Sequence, residues 1–489
     1  VKMKELKNIL DGVEILEQLG ATDVEVNAIV FDSRKIKYGA LFVAQKGATF
    51  DGHLFIEKAI KLGALTIVCQ IIPQVLVVGV TYIKVLNSDH ALAHLASNFL
   101  DNPSSKLKLV GVTGTNGKTT VATLLYDLFQ KAGVKAGLLS TVKIRIGEEG
   151  FEATHTTPDS VTINGYLNKM LEAGVTHCFM EVSSHGIHQC RTEGLNFDGA
   201  VFTNLSHDHL DYHKTFAEYR DVKKKFFDNL SKKSFALTNA DDKNGAILLQ
   251  NTKARKLSYA LKSMADFRAR ILEKSFSGML LQFASVEVWV RLIGDFNVSN
   301  LLAIYGVATE LGMKKDNVLL LMSQLESVNG RFQYSTSSGG IVTIVDYAHT
   351  PDALKNVLET IAGIRSGKEC LISVVGCGGD RDKAKRAKMG NIAAALSDQV
   401  VFTSDNPRFE DPQTIIDQIE DGVTSENHKK TLSVLDRKQA IRTAIKLASK
   451  GDIILVAGKG HEDYQDIKGV KHHFDDKEII QEILVALEK

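Results

Sequence analysis

Gly114-Thr-Asn-Gly-Lys-Thr-Thr120 decides how the chain is read. An apolar run of strand length, residues 107–112, precedes it. After it, Val121, Leu124, Leu125, Leu128, Phe129 and Ala132 fall at the i, i+3, i+4 spacing of one helix face. Gly133 stands where such a helix would stop. A strand, a glycine-rich turn and a helix opening on Gly-Lys-Thr make a phosphate cradle. Turn amides and the helix N-terminus supply donors, Lys118 a full charge and Thr119 a hydroxyl for Mg²⁺. The spacing is unusual, because Val112 occupies the place of the first glycine. Gly114, Thr115, Asn116, Gly117, Lys118, Thr119 and Thr120 are therefore candidate nucleotide-binding residues. A plain glycine-rich turn is the alternative.

The surrounding composition is that of an ordinary globular protein. The 489 residues suit two to four domains, with 44% hydrophobic and 24% charged residues. A formal net charge of +1 argues against a general nucleic-acid or membrane-surface binder. Five cysteines without a Cys-x-x-Cys pair suit reduced thiols. The start, Val1-Lys-Met-Lys-Glu-Leu, is too charged for a signal peptide, and the apolar stretch 64–80 is interrupted and too short for a membrane span. That stretch is expected to be a pair of buried strands, and the protein to be cytoplasmic.

A turn-rich break at Asp101-Asn-Pro-Ser-Ser105 and a second near Ser335-Thr-Ser-Ser-Gly-Gly340 divide the chain. Between them strands and helices alternate, with strands expected at 178–182 and 199–203. Beyond the second break, β-rich runs at 341–345, 370–375, 399–402 and 453–456 predict another parallel sheet. The expected fold class is α/β with three domains, residues 1–103, 104–333 and 334–489. A central doubly wound P-loop ATPase-like domain is flanked by a small N-terminal α/β domain and a C-terminal Rossmann-like domain.

Ligands of open α/β sheets gather beyond the carboxyl ends of the strands. Glu181 stands at such an end, followed by Val-Ser-Ser-His, and in the same sheet as a phosphate loop it suits a direct or indirect Mg²⁺ ligand. A strand-end glutamate in solvent is the alternative. Asn204-Leu-Ser-His-Asp-His-Leu-Asp-Tyr-His213 packs three histidines and two aspartates into seven residues. Its spacing completes no zinc set, so His209 with a carboxylate placing a second Mg²⁺ is the better reading.

These blocks together resemble the Mur ligases, ATP-dependent amide-forming enzymes that build the stem peptide of the peptidoglycan precursor. The resemblance continues through Glu218-Tyr-Arg-Asp-Val-Lys223, Asn239-Ala-Asp-Asp242, Gly294-Asp-Phe-Asn-Val-Ser-Asn300 and Asn329-Gly-Arg331, and so covers nearly the whole chain. It implies that Lys223, four residues after Tyr219, is carbamylated by CO₂ into an anion that helps hold Mg²⁺, with Lys224 and Lys225 solvated. Lys118, Glu181, His209 and Lys223 become the expected catalytic set. Thr119, Glu181, His209 and the Lys223 carbamate would hold two Mg²⁺. Asn297 and Asn300 resemble adenine-holding positions and Arg331 one near the ribose. By their residue types alone they could equally be turn and cap residues.

The outer motifs resemble the family member that adds the third residue of the stem peptide. Phe31-Asp-Ser-Arg34 implies that Ser33 and Arg34 lie near UDP, although a Ser-Arg pair after a strand is commonly a turn. Thr156, Thr157, Ser184 and Arg191 resemble contacts to UDP-MurNAc-L-Ala-D-Glu. In Asp346-Tyr-Ala-His-Thr-Pro351, Asp346 and His349 are expected to face the nucleotide. Arg381 (in Gly376-Cys-Gly-Gly-Asp-Arg), Asp405, Asn406, Arg408, Gly458 and Glu462 resemble a meso-diaminopimelate pocket. Asp405-Asn-Pro-Arg408 goes with that amino acid in the family, and the chemistry agrees. A second amino-acid end carries a carboxylate that a guanidinium can pair bidentately. L-Lysine, the alternative amino acid, would leave Arg408 unpaired, at about 2–5 kcal/mol, or roughly thirty-fold to several thousand-fold. The resemblance thus implies an ATP-dependent ligase acting through an acyl phosphate, a monomer with no nucleic-acid partner and no membrane insertion. A nucleotide switch without ligase chemistry would leave the His-Asp block and Asp405–Arg408 unexplained.

Overall fold

The computed structural model describes residues 3–47, 51–153 and 155–489, with only the backbone for Asp211. Val1, Lys2 and the Asp211 side chain, which belong to stretches quoted above, fall outside it.

The central sheet has nine strands, and its middle strand is β1, Lys108–Thr113. Side chains of a strand alternate between faces. Leu109 therefore joins the apolar layer on one face, while Val110 and Val112 join the layer on the other. The helix α1, Lys118–Lys131, covers the second face and ends at Ala132, with Gly133 in the left-handed region (φ 77°). β1 is flanked in parallel by β2, His177–Glu181, and β3, Gly199–Phe202. The chain passes first to one side of β1 and later to the other, so the sheet's topological switch point lies at the end of β1 that carries the glycine-rich turn. Helix α2, Phe216–Asp228, is N-capped by Thr215, whose Oγ1 accepts from Glu218 N. Four-residue spacing then puts Tyr219 and Lys223 on one buried face. Helix α3, Asp295–Glu310, packs beside α1 under the same sheet face.

An antiparallel sheet of three strands, Arg270–Ser275, Gly278–Phe283 and Val286–Val290, interrupts the expected strand–helix alternation. It docks Met279, Leu281, Phe283, Val288 and Val290 into the core shared by α1 and α3.

A second large sheet has six strands, in the order Gln333–Thr336, β4 (Val342–Asp346), β7 (Ile453–Ala457), β5 (Leu371–Val375), β6 (Gln399–Phe402) and Thr431–Ser433. Its first pair is antiparallel and the rest parallel. Of the segment 335–340, Ser335 and Thr336 end the first strand of this sheet and residues 337–340 lie in the turn of that first hairpin. Helix α4, Ala384–Leu396, covers one face.

The N-terminal sheet has five strands: Ile15–Leu19, Thr81–Val85, Ala64–Cys69, Ala40–Val43 and Ile29–Val30. The stretch 64–80 holds one strand of this sheet rather than two. Its remainder is a loop that exposes Ile71, Val75 and Val78, because Pro73 and the glutamines leave no partnered strand there. Among the described residues no helix is long and apolar enough to cross a membrane.

Candidate active site

Helix α1 begins at Lys118 directly on Gly117, whose φ of 87° suits glycine; a Cβ there would sit 2.7 Å from Asn300 Oδ1. The turn is pinned by the segment after β3. Thr115 N donates to the Asn204 carbonyl (2.8 Å) and Asn116 N to Asn204 Oδ1 (3.0 Å). Lys118 Nζ donates to the carbonyls of Gly114 (3.0 Å) and Thr115 (2.7 Å). Burial lowers the Lys118 pKa, with Glu181 and Asp208 acting against that shift.

Glu181 is fully buried, which rules out the solvent-exposed alternative. Its Oε2 accepts from Thr119 Oγ1 (3.0 Å) and Thr141 Oγ1 (3.2 Å), and its Oε1 from Thr141 N (2.8 Å). Among the described residues it makes no ion pair, so a deeply buried carboxylate sits beside the phosphate loop held by neutral donors alone. Thr141 escaped the sequence reading, because a threonine after a short strand carries no pattern.

Lys223 is 1% exposed. Its Nζ donates to the Gly114 carbonyl (3.0 Å), lies 3.4 Å from Thr113 Oγ1 and sits 4.8 Å from the centre of the Tyr219 ring. Burial, helped by the charge of Lys118, holds its pKa well below the usual lysine value. Its neighbours behave differently: Lys225 is exposed, but Lys224 is not free in solvent, because both Asp228 oxygens hold its ammonium at 2.8 Å.

Of the three histidines after β3, His209 and His213 both pack near His185 and Tyr219, whereas His207 points to the C-terminal unit. His209 lines the main cleft and lies 3.4 Å from Asp208 Oδ2; burial pushes its pKa down to about 3, so it is neutral near pH 7. Burial would raise the Asp208 carboxyl, but His209, His349, Lys385 and Lys118 outweigh it and hold the pKa low. His213 is fully buried against the Tyr219 ring (5.4 Å between centres) and pushed down to about 4 by burial. His207 Nε2 stands 3.3 Å from Asp382 Oδ2, across the cleft in the C-terminal unit. Among the described residues no group of three or more His, Cys, Asp or Glu is placed to hold a metal by itself.

A cavity of about 280 Å³ beside the turn is lined by Asn116, Gly117, Thr120, Asn300, Arg331 and Asp346, among others. Asn204, Asn239, Asp242 and Phe296 also line it, residues to which the sequence reading gave no role. Asn297 does not line it: its Nδ2 donates to the Ile293 carbonyl (2.8 Å) and its Oδ1 accepts from Asn300 Nδ2 (3.2 Å). It steadies Asn300 as a helix-start residue. Arg331 lies 4.4 Å over the Tyr347 ring and donates from Nη2 to Thr119 Oγ1 (3.2 Å), joining the two large units. Burial pushes Asp346 up to about 6, and its Oδ2 accepts from Phe332 N (2.6 Å). His349 is not among the residues lining this cavity; burial takes its pKa down to about 4, and its Nδ1 faces the Tyr347 carbonyl at 2.9 Å.

The main cleft, about 1350 Å³, joins Lys118, His209 and Lys223 to Thr156, Thr157, Ser184 and Arg191, and on its far wall to Arg381 and Glu462. Parallel strands explain this far wall. The loops after β4, β5, β6 and β7 leave the same edge of one sheet, so motifs over a hundred residues apart meet there. Asp405, Asn406, Arg408 and Gly458 are not among the residues lining the cleft. Asn406 Nδ2 donates to Glu462 Oε2 (2.7 Å), and Arg408 Nη1 donates to the Gly379 carbonyl (2.6 Å). Ser33 and Arg34 stand apart on a short 3₁₀ turn, with Arg34 exposed and ion-paired to Asp32 at 2.8 Å. They do not line the cleft either. A further hollow of about 690 Å³ lies at the opposite ends of the strands, between residues 104–108 and 192–198, and gathers none of these groups.

Residues 112–308 match the Mur ligase middle domain, residues 330–460 the Mur ligase, glutamate ligase domain, and residues 25–100 the Mur ligase family, catalytic domain. The chain is 54% identical over 478 residues to a UDP-N-acetylmuramoyl-L-alanyl-D-glutamate--2,6-diaminopimelate ligase of Bacteroides fragilis, covering 98% of this chain and 99% of the relative. It is 42% identical to the ligase of the same name from Bacillus velezensis, covering 96% of each. A solved structure of a ligase of that name superposes with a TM-score of 0.71 at 30% identity over 100% of both chains.

Proposed function

The chain belongs to the Mur ligase family, and from that premise we propose that it joins meso-2,6-diaminopimelate to UDP-N-acetylmuramoyl-L-alanyl-D-glutamate, converting ATP to ADP and phosphate. One observation carries the reading. Lys118, the first helical residue after the glycine-rich turn, and Lys223 share a single cleft with Thr156, Thr157 and Arg191 on one wall and Arg381 and Glu462 on the other. A phosphate site, an acceptor site and an amino-acid site in one hollow is what a three-substrate ligase needs.

The γ-carboxylate of the D-glutamyl end attacks the γ-phosphorus of ATP, and ADP leaves. The amine of diaminopimelate then attacks the acyl carbon of the resulting acyl phosphate, losing a proton as phosphate departs. Phosphoryl transfer requires mainly positioning and charge neutralisation. Lys118 and the turn amides supply both on the phosphate side, Asn300 and Arg331 face the nucleoside, and Arg191 and Ser184 hold the acceptor. Two Mg²⁺ would be held by Thr119, Glu181, His209 and the Lys223 carbamate, and when bound they neutralise phosphate charge. The donor set suits them: Glu181 is a buried carboxylate that makes no ion pair among the described residues, and Mg²⁺ keeps waters and phosphate oxygens as its remaining ligands. Lys223 suits carbamylation because burial favours its neutral amine, the form whose lone pair adds to CO₂ with loss of a proton. The reading assigns ATP to residues 104–333, the nucleotide-sugar to residues 1–103 and diaminopimelate to residues 334–489, in a cytoplasmic, monomeric enzyme; the five cysteines are all free thiols.

The test is phosphate release with ATP and UDP-MurNAc-L-Ala-D-Glu, comparing meso-diaminopimelate with L-lysine. Release is expected with diaminopimelate and to be at least about thirty-fold less efficient with L-lysine, the factor set by one unpaired buried charge. Preference for L-lysine overturns the specificity, and release indifferent to either amino acid overturns the ligase.

A further inference from the structure

The loop after β7 carries a lysine that neither the sequence reading nor the reaction above employs. Lys459 is fully buried. Its Nζ donates to Asn406 Oδ1 (3.0 Å), stands 3.6 Å from both Asp405 Oδ1 and Glu462 Oε2, and lies 5.6 Å from the centre of the Tyr464 ring. Asn406 closes the group, donating to Glu462 Oε2 and accepting from Asp466 N (2.9 Å). Of these ionic groups only Glu462 is among the residues lining the cleft.

A buried ammonium is costly unless it answers buried negative charge, and here it answers two carboxylates at once. Burial would raise Asp405, yet Lys459 leads the groups that hold it low; burial and Asp405 press Glu462 upward, and Lys459 and Arg408 oppose that. Arg437, which with Arg408 also acts on Asp405, is already committed to Asp476 at 2.7 Å, with both side chains fully buried. Two cations, Lys459 and Arg408, therefore face two anions, Asp405 and Glu462.

We propose that Lys459 is a positioning residue that sets the charge of the amino-acid pocket. Together with Arg408 it balances Asp405 and Glu462, so that this group of four contributes no net charge to the pocket, which accepts a zwitterionic amino-acid end in preference to a lone cation. This rests on the ligase reading, and it adds the determinant that works alongside Arg408. Without Lys459 the group carries one excess negative charge, which weakens the hold on a carboxylate and strengthens the hold on an ammonium.

The experiment uses the full chain with Lys459→Met, Lys459→Met/Asp405→Asn and the unaltered protein, in steady-state phosphate release with each amino acid. Diaminopimelate-dependent release by the unaltered protein is measured first; its absence defeats the ligase reading and is distinct from any result on Lys459. For Lys459→Met, the KM for diaminopimelate should rise about thirty-fold or more, with the KM for ATP within about twofold and the preference over L-lysine reduced about tenfold. In the double variant the second change removes the excess charge, so the KM for diaminopimelate should recover about tenfold. A diaminopimelate KM unchanged in Lys459→Met overturns the proposal. So does a parallel rise in both KM values, or a double variant no better than the single one. Should Lys459→Met fail to fold, a folded double variant that uses diaminopimelate supports the proposal, and a double variant that also fails to fold overturns it.

Discussion

A lysine ammonium in water keeps its proton until about pH 10.4. Lys223 Nζ meets a carbonyl, a hydroxyl and the Tyr219 ring and has almost no exposure, so the charged form loses most of its hydration with no ion pair among the described residues to replace it. Folding thus buries one lysine of three in a row, the one for which carbamylation is proposed; Lys224 is spoken for by Asp228, and Lys225 is exposed. The position was legible, because Lys223 sits four residues after Tyr219. Its environment was not, since the Gly114 carbonyl arrives from more than a hundred residues away. Lys223→Ala, or exhaustive removal of CO₂ and bicarbonate, should lower turnover by about a hundredfold or more, the scale expected when a charge-stabilising group is lost from a phosphoryl-transfer site. Bicarbonate should restore the CO₂-depleted enzyme but not the alanine variant. Near-normal turnover of Lys223→Ala at saturating Mg²⁺ would exclude the carbamate.

Among the elements, the strand ends were easy to read and the pieces that hold them were not. Short β-rich runs revealed β1 to β7 because fully buried parallel strands are near-continuous in apolar residues. The sheet at residues 270–290 was missed because one of its faces is polar and its strands are joined by tight turns inside a region otherwise alternating strand and helix. Helix α4 is tied to the loop after β6 in a way no pattern announces. Arg386, fully buried, forks onto Glu410 with two hydrogen bonds of 2.9 Å. The Arg386 guanidinium holds the Glu410 carboxyl down at about 2. A carboxylate lowered on folding stabilises fully above its unfolded value of 4.5, and that contribution is lost as pH falls through about 2. Glu410→Gln should therefore cost the C-terminal unit at most about 3 kcal/mol at pH 7. In urea melts the gap to the unaltered protein should narrow as pH drops from 4.5 towards 2. A gap that stays constant across that range would assign the loss to packing instead.

At the scale of the whole molecule, the site exists only because two parallel sheets turn their carboxyl ends towards one cleft. The junction is tight: a Cβ on Gly330 would lie 2.0 Å from His461 N. Arg331, the next residue, spans the gap from the Tyr347 ring to Thr119 Oγ1. Hydrogen bonds from a charged donor contribute about 1.5–3 kcal/mol, so Arg331→Ala should raise the KM for ATP about tenfold or more. It should also widen the molecule measurably in small-angle scattering. A raised KM with an unchanged radius of gyration would restrict Arg331 to nucleotide contact.

The sequence by itself determined what is local: the phosphate cradle, which follows from a strand, a glycine-rich turn and a helix in direct succession, the strand ends on which Glu181 and Asp346 sit, and the loop beyond a strand end that carries Asp405. It also carried the family resemblance, because whole blocks such as Asp405–Arg408 survive as contiguous text. Only the tertiary structure decided what each side chain answers to. It placed Asn297 behind Asn300 and outside the cavity beside the glycine-rich turn, and left Arg34 paired to Asp32 away from the cleft. It also put Lys459 between two carboxylates. Burial and long-range charge cause that difference: both depend on what packs against a residue from distant parts of the chain, and neither is written in its neighbours.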